Sequence, residues 1–142
     1  MISFETLHAA PPALVAHAPV LMVAAPLIAA CAAALSPSAR TSWMISVTGS
    51  IFAAWMALAL VGEVARRGAV DYAIGGFAPP LGIALHIDGL SVLMALLVSS
   101  AGVMASLYSG HSLAADVRAE KHTLFQSGFL LCQTGLLGLV ST

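Results

Sequence analysis

Four long apolar runs, separated by short polar stretches, make up most of the chain. They lie roughly at Ala13–Leu35, Trp43–Gly62, Leu90–Tyr108 and Thr123–Val140. Each is close to the roughly 20 residues that a helix needs to cross the hydrocarbon core of a bilayer. Between the second and third runs the period changes. Val70, Tyr72 and Ile74 alternate with smaller or polar residues, and Ile83, Leu85 and Ile87 alternate with Ala84, His86 and Asp88. A period of two belongs to strands. Gly75-Gly76 and Pro79-Pro80 place a turn between them. The pattern predicts an all-α membrane protein: four transmembrane helices, with a short β-hairpin at about 70–88 between helices 2 and 3. The whole chain, 1–142, reads as a single membrane domain.

Composition agrees. Apolar residues are 60% of the chain and charged residues 8%, against about 25% charged in a soluble domain. The cations are Arg40, Arg66, Arg67, Arg118 and Lys121, and the acids are Glu5, Glu63, Asp71, Asp88, Asp116 and Glu120. They cluster between the runs. A net charge of −1 and the lack of a basic patch exclude nucleic acid as a partner. Cys31 and Cys132 lie inside apolar runs without metal-ligand spacing, and are expected to be small buried thiols. The stretch before the first run has no Lys or Arg. A signal peptide needs a basic leader, so this run is read as retained.

Finer features suggest how the helices meet. Pro19 and Pro26 fall in the first run, where proline bends a spanning helix without breaking it. His17 is read as a headgroup-level histidine and Trp43 as part of an aromatic belt. Ser36 to Ser42 reads as a turn. Gly49, Ala53 and Ala57 make a smooth face on the second helix. Asp88 is placed to cap the third helix, its carboxylate accepting amide hydrogens of the first turn. Ala95, Ser99, Gly102, Ser106 and Gly110 recur at spacings of three and four, which predicts a helix-packing seam. Gly110 to His122 reads as a polar loop, whose His111 and His122 lack the spacing of a metal-ligand pair. Gln126, Cys132, Gln133 and Thr134 give the last helix a polarity suited to hydrogen bonds between helices.

Charge sets an orientation. The first and third loops share a side and carry Arg40, Arg118 and Lys121; the middle loop carries Arg66 and Arg67. The positive-inside rule then puts both termini and the hairpin outside. No Asp, Glu, Lys or Arg lies in the middle of any run. Ionisable groups at membrane depth usually mark ion paths, so the chain is read as carrying none of its own. Phosphate loops and nucleophile elbows are also missing. No catalytic residue, cofactor-binding residue or metal ligand is therefore assigned, and no cofactor is expected.

Gly75-Gly-Phe-Ala-Pro-Pro-Leu-Gly-Ile-Ala-Leu-His-Ile-Asp-Gly-Leu-Ser91 resembles the hairpin and third-helix start of the antiporter-like, proton-translocating subunits of respiratory complex I and of Mrp-type sodium/proton antiporters. Phe125 to Thr142 is similar to the fourth helix of that family. The resemblance is to the N-terminal portion, nearest to the D-type Mrp protein and its complex I relatives, and covers most of the chain. It implies a multi-pass component of a bacterial inner membrane, with the hairpin on the outer face. It also implies other integral membrane subunits as partners, including a chain with the remaining helices, and lipid around them. The family's intramembrane glutamate and lysines have no matching positions here, so no catalytic residue carries over. Three readings stay open: a split or N-terminal part of a proton-translocating complex supplying scaffold helices, an accessory subunit of another energy-converting complex, and a small four-helix transporter.

Overall fold

The computed structural model describes residues 13, 16–73, 84–116, 118 and 121–141. Their order is α1 (Ala18–Ala34), α2 (Ala39–Arg67), β1 (Val70–Ala73), β2 (Ala84–Ile87), α3 (Gly89–Asp116) and α4 (His122–Ser141). Three of the helices, α2, α3 and α4, are long and apolar enough to cross a membrane. α1 is equally apolar but has 17 residues, about 26 Å at the rise of an α-helix. Residues 14 and 15 of the expected first span, and residues 74–83 of the expected hairpin, lie outside the described residues.

Local chemistry sets the ends. The predicted turn at Ser36 to Ser42 is shorter than expected, because Ser38 adopts an extended backbone and its Oγ accepts from the Thr41 amide at 3.3 Å. An N-cap of that kind satisfies one of the open amides of the first turn, so α2 already starts at Ala39. At its other end Gly68 has φ of +85°, a value that suits glycine, and its amide donates to Val64 O at 2.8 Å. Arg67 pairs with Glu63 one turn earlier, at 2.7 Å. α3 also runs further than its apolar run, through His111 to Asp116, so the expected polar loop loses its first half to helix. The Arg118 carbonyl accepts from the Lys121 amide at 2.8 Å just before α4.

β1 and β2 pair antiparallel, with Val70 opposite Ile87, Asp71 opposite His86, and Tyr72 opposite Leu85. The alternation sends Leu85 and Ile87 inward and leaves His86 exposed. Ile87 joins Met22, Met56, Leu60, Val92 and Leu137 in the main apolar core. That core fills the hairpin end of the bundle. A second cluster, Ala30, Ala33 and Leu130, holds α1 to α4 nearer the other end.

The smooth face on α2 meets α1. A Cβ added to Gly49 would stand 2.7 Å from Ala29 Cβ, closer than real Cβ atoms come. The expected burial of the two thiols does not hold. Cys31 and Cys132 are free and exposed, because each falls on the outward side of its helix. Trp43, read as a belt residue, also turns partly inward and donates from Nε1 to Ser106 O of α3 at 2.8 Å.

Candidate functional site

The interior between α2, α3 and α4 is polar at one end. Ser42, Ser46 and Ser50 of α2, Ser99, Ser106 and Ser109 of α3, and Gln126, Gln133 and Thr134 of α4 are all buried. Two levels of hydrogen bonds organise them. Near the Arg40 end, Gln126 Nε2 donates to Ser109 Oγ at 2.8 Å, and Ser109 Oγ donates to Ser106 O at 2.7 Å. The Ser106 carbonyl also receives Trp43, so this level ties all three helices. Deeper, Ser50 Oγ donates to Gln133 Oε1 at 2.8 Å. Gln133 fits because α3 has a glycine opposite it: a Cβ on Gly102 would lie 2.3 Å from Gln133 Nε2. Gln126 and Gln133 are seven residues apart, hence on one face and about 10 Å apart along α4.

Most hydroxyls here are satisfied by their own helix. Ser99 donates to Ala95 O at 2.7 Å and Thr134 to Leu130 O at 2.8 Å. Four buried atoms have no partner among the described residues: Ser42 Oγ, Ser46 Oγ, Gln126 Oε1 and Gln133 Nε2. Each such atom left unpaired costs about 1–3 kcal/mol. A cavity of about 380 Å³ opens above Gln126 and Ser109, with Arg40, Trp43, His111 and His122 on its walls. The start of α2, the later part of α3 and the start of α4 thus meet at one end of the bundle.

The other end holds the hairpin. His86 and Asp71 face each other across the strands as an exposed pair. Hydrogen bonding to Asp71, then its charge, raises the His86 pKa above its ordinary 6.5. Asp88 Oδ1 accepts from the Ser91 amide at 2.7 Å at the start of α3. That bond and one from the Ser91 side chain lower the Asp88 pKa below its ordinary value. His17 Nδ1 and the Tyr72 hydroxyl share a hydrogen bond of 2.7 Å, which ties the start of α1 to β1.

Of the residues expected as a seam on α3, Ala95, Ser99, Gly102 and Ser106 are buried and Gly110 is exposed. Gly102 lies under Gln133, and Gly110 lies under the ring of Trp43, whose Cε2 and Nε1 would be 2.7 Å from an added Cβ. Sequence reasoning marked Gln126 and Gln133 but missed Ser42, Ser46 and Ser50. Their signal was there, as three serines at a spacing of four on an otherwise apolar helix.

No family model matches the chain. It is 35% identical, over 133 aligned positions, to NADH-quinone oxidoreductase subunit N of Desulforudis audaxviator (strain MP104C). The chain is homologous to part of that antiporter-like complex I subunit. The match covers 89% of this chain and 26% of the relative, so the chain spans about a quarter of the relative's length. This homology lies on the complex I side of the resemblance seen at the hairpin. It is also consistent with the three apolar helices of a multi-pass membrane protein.

Proposed function

We propose that this chain is scaffold for a proton-translocating, complex I-like membrane assembly, and that it supplies helices while other helices carry the charged proton path. The homology to part of subunit N carries the reading. The interior chemistry supports it: the polar side chains buried between α2, α3 and α4 are serine, threonine and glutamine, which bond helices together, whereas ion paths usually use ionisable groups. In this reading α1 also spans the membrane, as the first of four helices. Its apolar length of about 26 Å is completed at the His17 end, where the hydrogen bond to Tyr72 holds it at the level of the hairpin. The hairpin and His17 face the outside of a bacterial inner membrane. Arg40, Arg118 and Lys121 face the cytoplasm, following the positive-inside rule.

The outer surface supports partners. Leu90, Leu93, Leu97, Met104 and Tyr108 of α3 are exposed, which suits lipid or neighbouring helices. The seam of Ala95, Ser99, Gly102, Ser106 and Gly110 serves packing within the bundle, so that the outer face is left for other subunits. Asp88 caps α3 and fixes where the hairpin hands over to the helix.

Gentle detergent purification on a tag at Met1, with mass spectrometry of the proteins that come along, tests the reading. Recovery of a polypeptide with the remaining antiporter-like helices and their intramembrane glutamate is the expected result. Recovery of unrelated subunits alone would make the chain an accessory of another energy-converting complex. Recovery of a homo-oligomer alone would make it a small transporter.

A further inference from the structure

We propose that the cavity at the Arg40 end of the bundle binds a phospholipid headgroup: a phosphodiester with a hydroxyl at its tip, of the phosphatidylglycerol type. This goes beyond the scaffold reading. The site is made by this chain alone, whichever subunits surround it.

The rim suits an anion. To the cavity α2 brings Arg40 and Trp43, α3 brings Ser109 and His111, and α4 brings His122 and Gln126. The lining includes no carboxylate among the described residues. Arg40 is exposed and forms no ion pair among the described residues. A guanidinium matches phosphate oxygens in both charge and geometry. Each imidazole adds at least one ring N–H. Arg40 lies in the first turn of α2, and His122 opens α4. The first amides of a helix lack partners within it, and that end favours negative charge.

The floor asks for a different group. Gln126 is 1% exposed. Its Nε2 is committed to Ser109 Oγ at 2.8 Å, whereas its Oε1 has no partner among the described residues. Ser109 donates onward to Ser106 O, and Trp43 Nε1 donates to the same carbonyl. Wall and floor are therefore held in place by bonds within the bundle, with one acceptor left over. Buried acceptors are normally satisfied, so the ligand must bring a donor as well as an anion. An ammonium tip would share the cavity with the Arg40 cation and be repelled by it. A hydroxyl tip donates without that cost.

Size and depth point to a lipid rather than free phosphate. The cavity holds about 380 Å³, within the roughly 300–1,000 Å³ of small-molecule sites. It lies where two helices of membrane-spanning length begin, Ala39–Arg67 and His122–Ser141, which is headgroup level. Met44, Tyr108 and Leu124, close in the chain to lining residues, are exposed and offer acyl chains an apolar surface. Basic pockets between membrane helices are a known way of holding lipid headgroups.

Native mass spectrometry of the full chain, washed of co-purified lipid in mild detergent, tests the site. The probes are phosphatidylglycerol, phosphatidylmethanol, phosphatidylethanolamine and inorganic phosphate. Phosphatidylmethanol keeps the charge of phosphatidylglycerol and lacks its hydroxyls. Phosphatidylglycerol is expected to bind about fivefold more tightly than phosphatidylmethanol, the worth of one hydrogen bond. Arg40→Gln is expected to weaken it about tenfold, while Arg66→Gln at the hairpin end leaves it unchanged. With Trp55→Phe, phosphatidylglycerol should also shift the emission of Trp43 on the cavity wall. Equal binding of the three lipids would overturn the site. Equal losses in Arg40→Gln and Arg66→Gln would do the same, since they would show general charge attraction. Tighter binding of phosphatidylethanolamine would overturn the hydroxyl tip. Displacement of phosphatidylglycerol by millimolar inorganic phosphate would make this a site for free phosphate and overturn the lipid. If Arg40→Gln does not fold, the phosphatidylmethanol comparison on the parent chain and the Trp43 emission decide.

Discussion

Gln133 of α4 occupies the space that a side chain at position 102 of α3 would need: a Cβ built on Gly102 stands 2.3 Å from Gln133 Nε2 and 2.6 Å from its Cδ. The same amide accepts from Ser50 of α2, so one side chain joins three helices. Gly102→Ala is expected to push the amide away and break the Ser50 bond. Alanine gains up to about 1 kcal/mol of helix propensity over glycine, but crowding a packed interior costs about 1–3 kcal/mol. The expected balance is a loss of about 1 kcal/mol. Thermal unfolding in detergent, beside Gln133→Ala and the double variant, would show it; equal stability of Gly102→Ala and the parent would reject the fit.

The Ser50–Gln133 bond itself can be isolated by a double-mutant cycle with Ser50→Ala and Gln133→Ala. Hydrogen bonds between membrane helices average about 0.6 kcal/mol, up to about 1.7. A coupling near the upper part of that range is expected, since both groups are buried. A coupling of zero would mean that water serves each group equally well alone.

Gly110 and Trp43 form a second close pair, across α3 and α2. An indole is rigid, so Gly110→Ala cannot be relieved by a small bend of a flexible chain. The variant is expected to displace the ring and break its bond to Ser106 O. With Trp55 changed to Phe, the emission of Trp43 should shift to the red in Gly110→Ala. An unchanged spectrum would show that the ring tolerates the added methyl.

Much of the bundle was legible in the pattern of the chain. Length and apolarity located α2, α3 and α4, and alternation located the strands with the correct inward set, Leu85 and Ile87. The helix ends were less legible. Hydropathy ends at the membrane edge, whereas the helix ends where hydrogen bonding ends, so α3 passes Tyr108 and continues to Asp116. The hydrogen bond of Trp43 was not legible, because an indole suits both an interface and an interhelical bond, and the partner is 63 residues away at Ser106. Cys31 and Cys132 were misread because an apolar run does not reveal which side of its helix faces inward.

The small residues of α3 give an assembly prediction. Gly102→Leu or Ser106→Leu is expected to leave membrane insertion intact, since both raise hydropathy, and to weaken recovery of partner subunits. Blue-native electrophoresis beside a protease-protection assay separates these effects. Unchanged thermal stability together with unchanged partner recovery in both variants would sink the seam.

The hairpin should depend on pH through His86 and Asp71. The folded pKa of His86 is raised, so the pair adds stability at pH values below the ordinary 6.5 and loses it as pH rises through the folded value. Strand amides at Tyr72 and Leu85 are expected to exchange hydrogen more readily above that value, after correction for intrinsic rates. Asp71→Asn should remove the dependence and return the His86 titration toward 6.5. A titration of His86 that Asp71→Asn leaves in place would show that another group sets it.

The buried glutamines also bear on how the chain enters a membrane. The membrane-length stretch of α4 is less apolar than those of α2 and α3. Its Gln126 and Gln133 find their partners on helices synthesised earlier, Ser109 on α3 and Ser50 on α2. A polar amide facing lipid alone is unfavourable. α4 therefore leaves the translocon most readily when α2 and α3 are already waiting beside it, and the sequence of synthesis becomes part of the folding instructions.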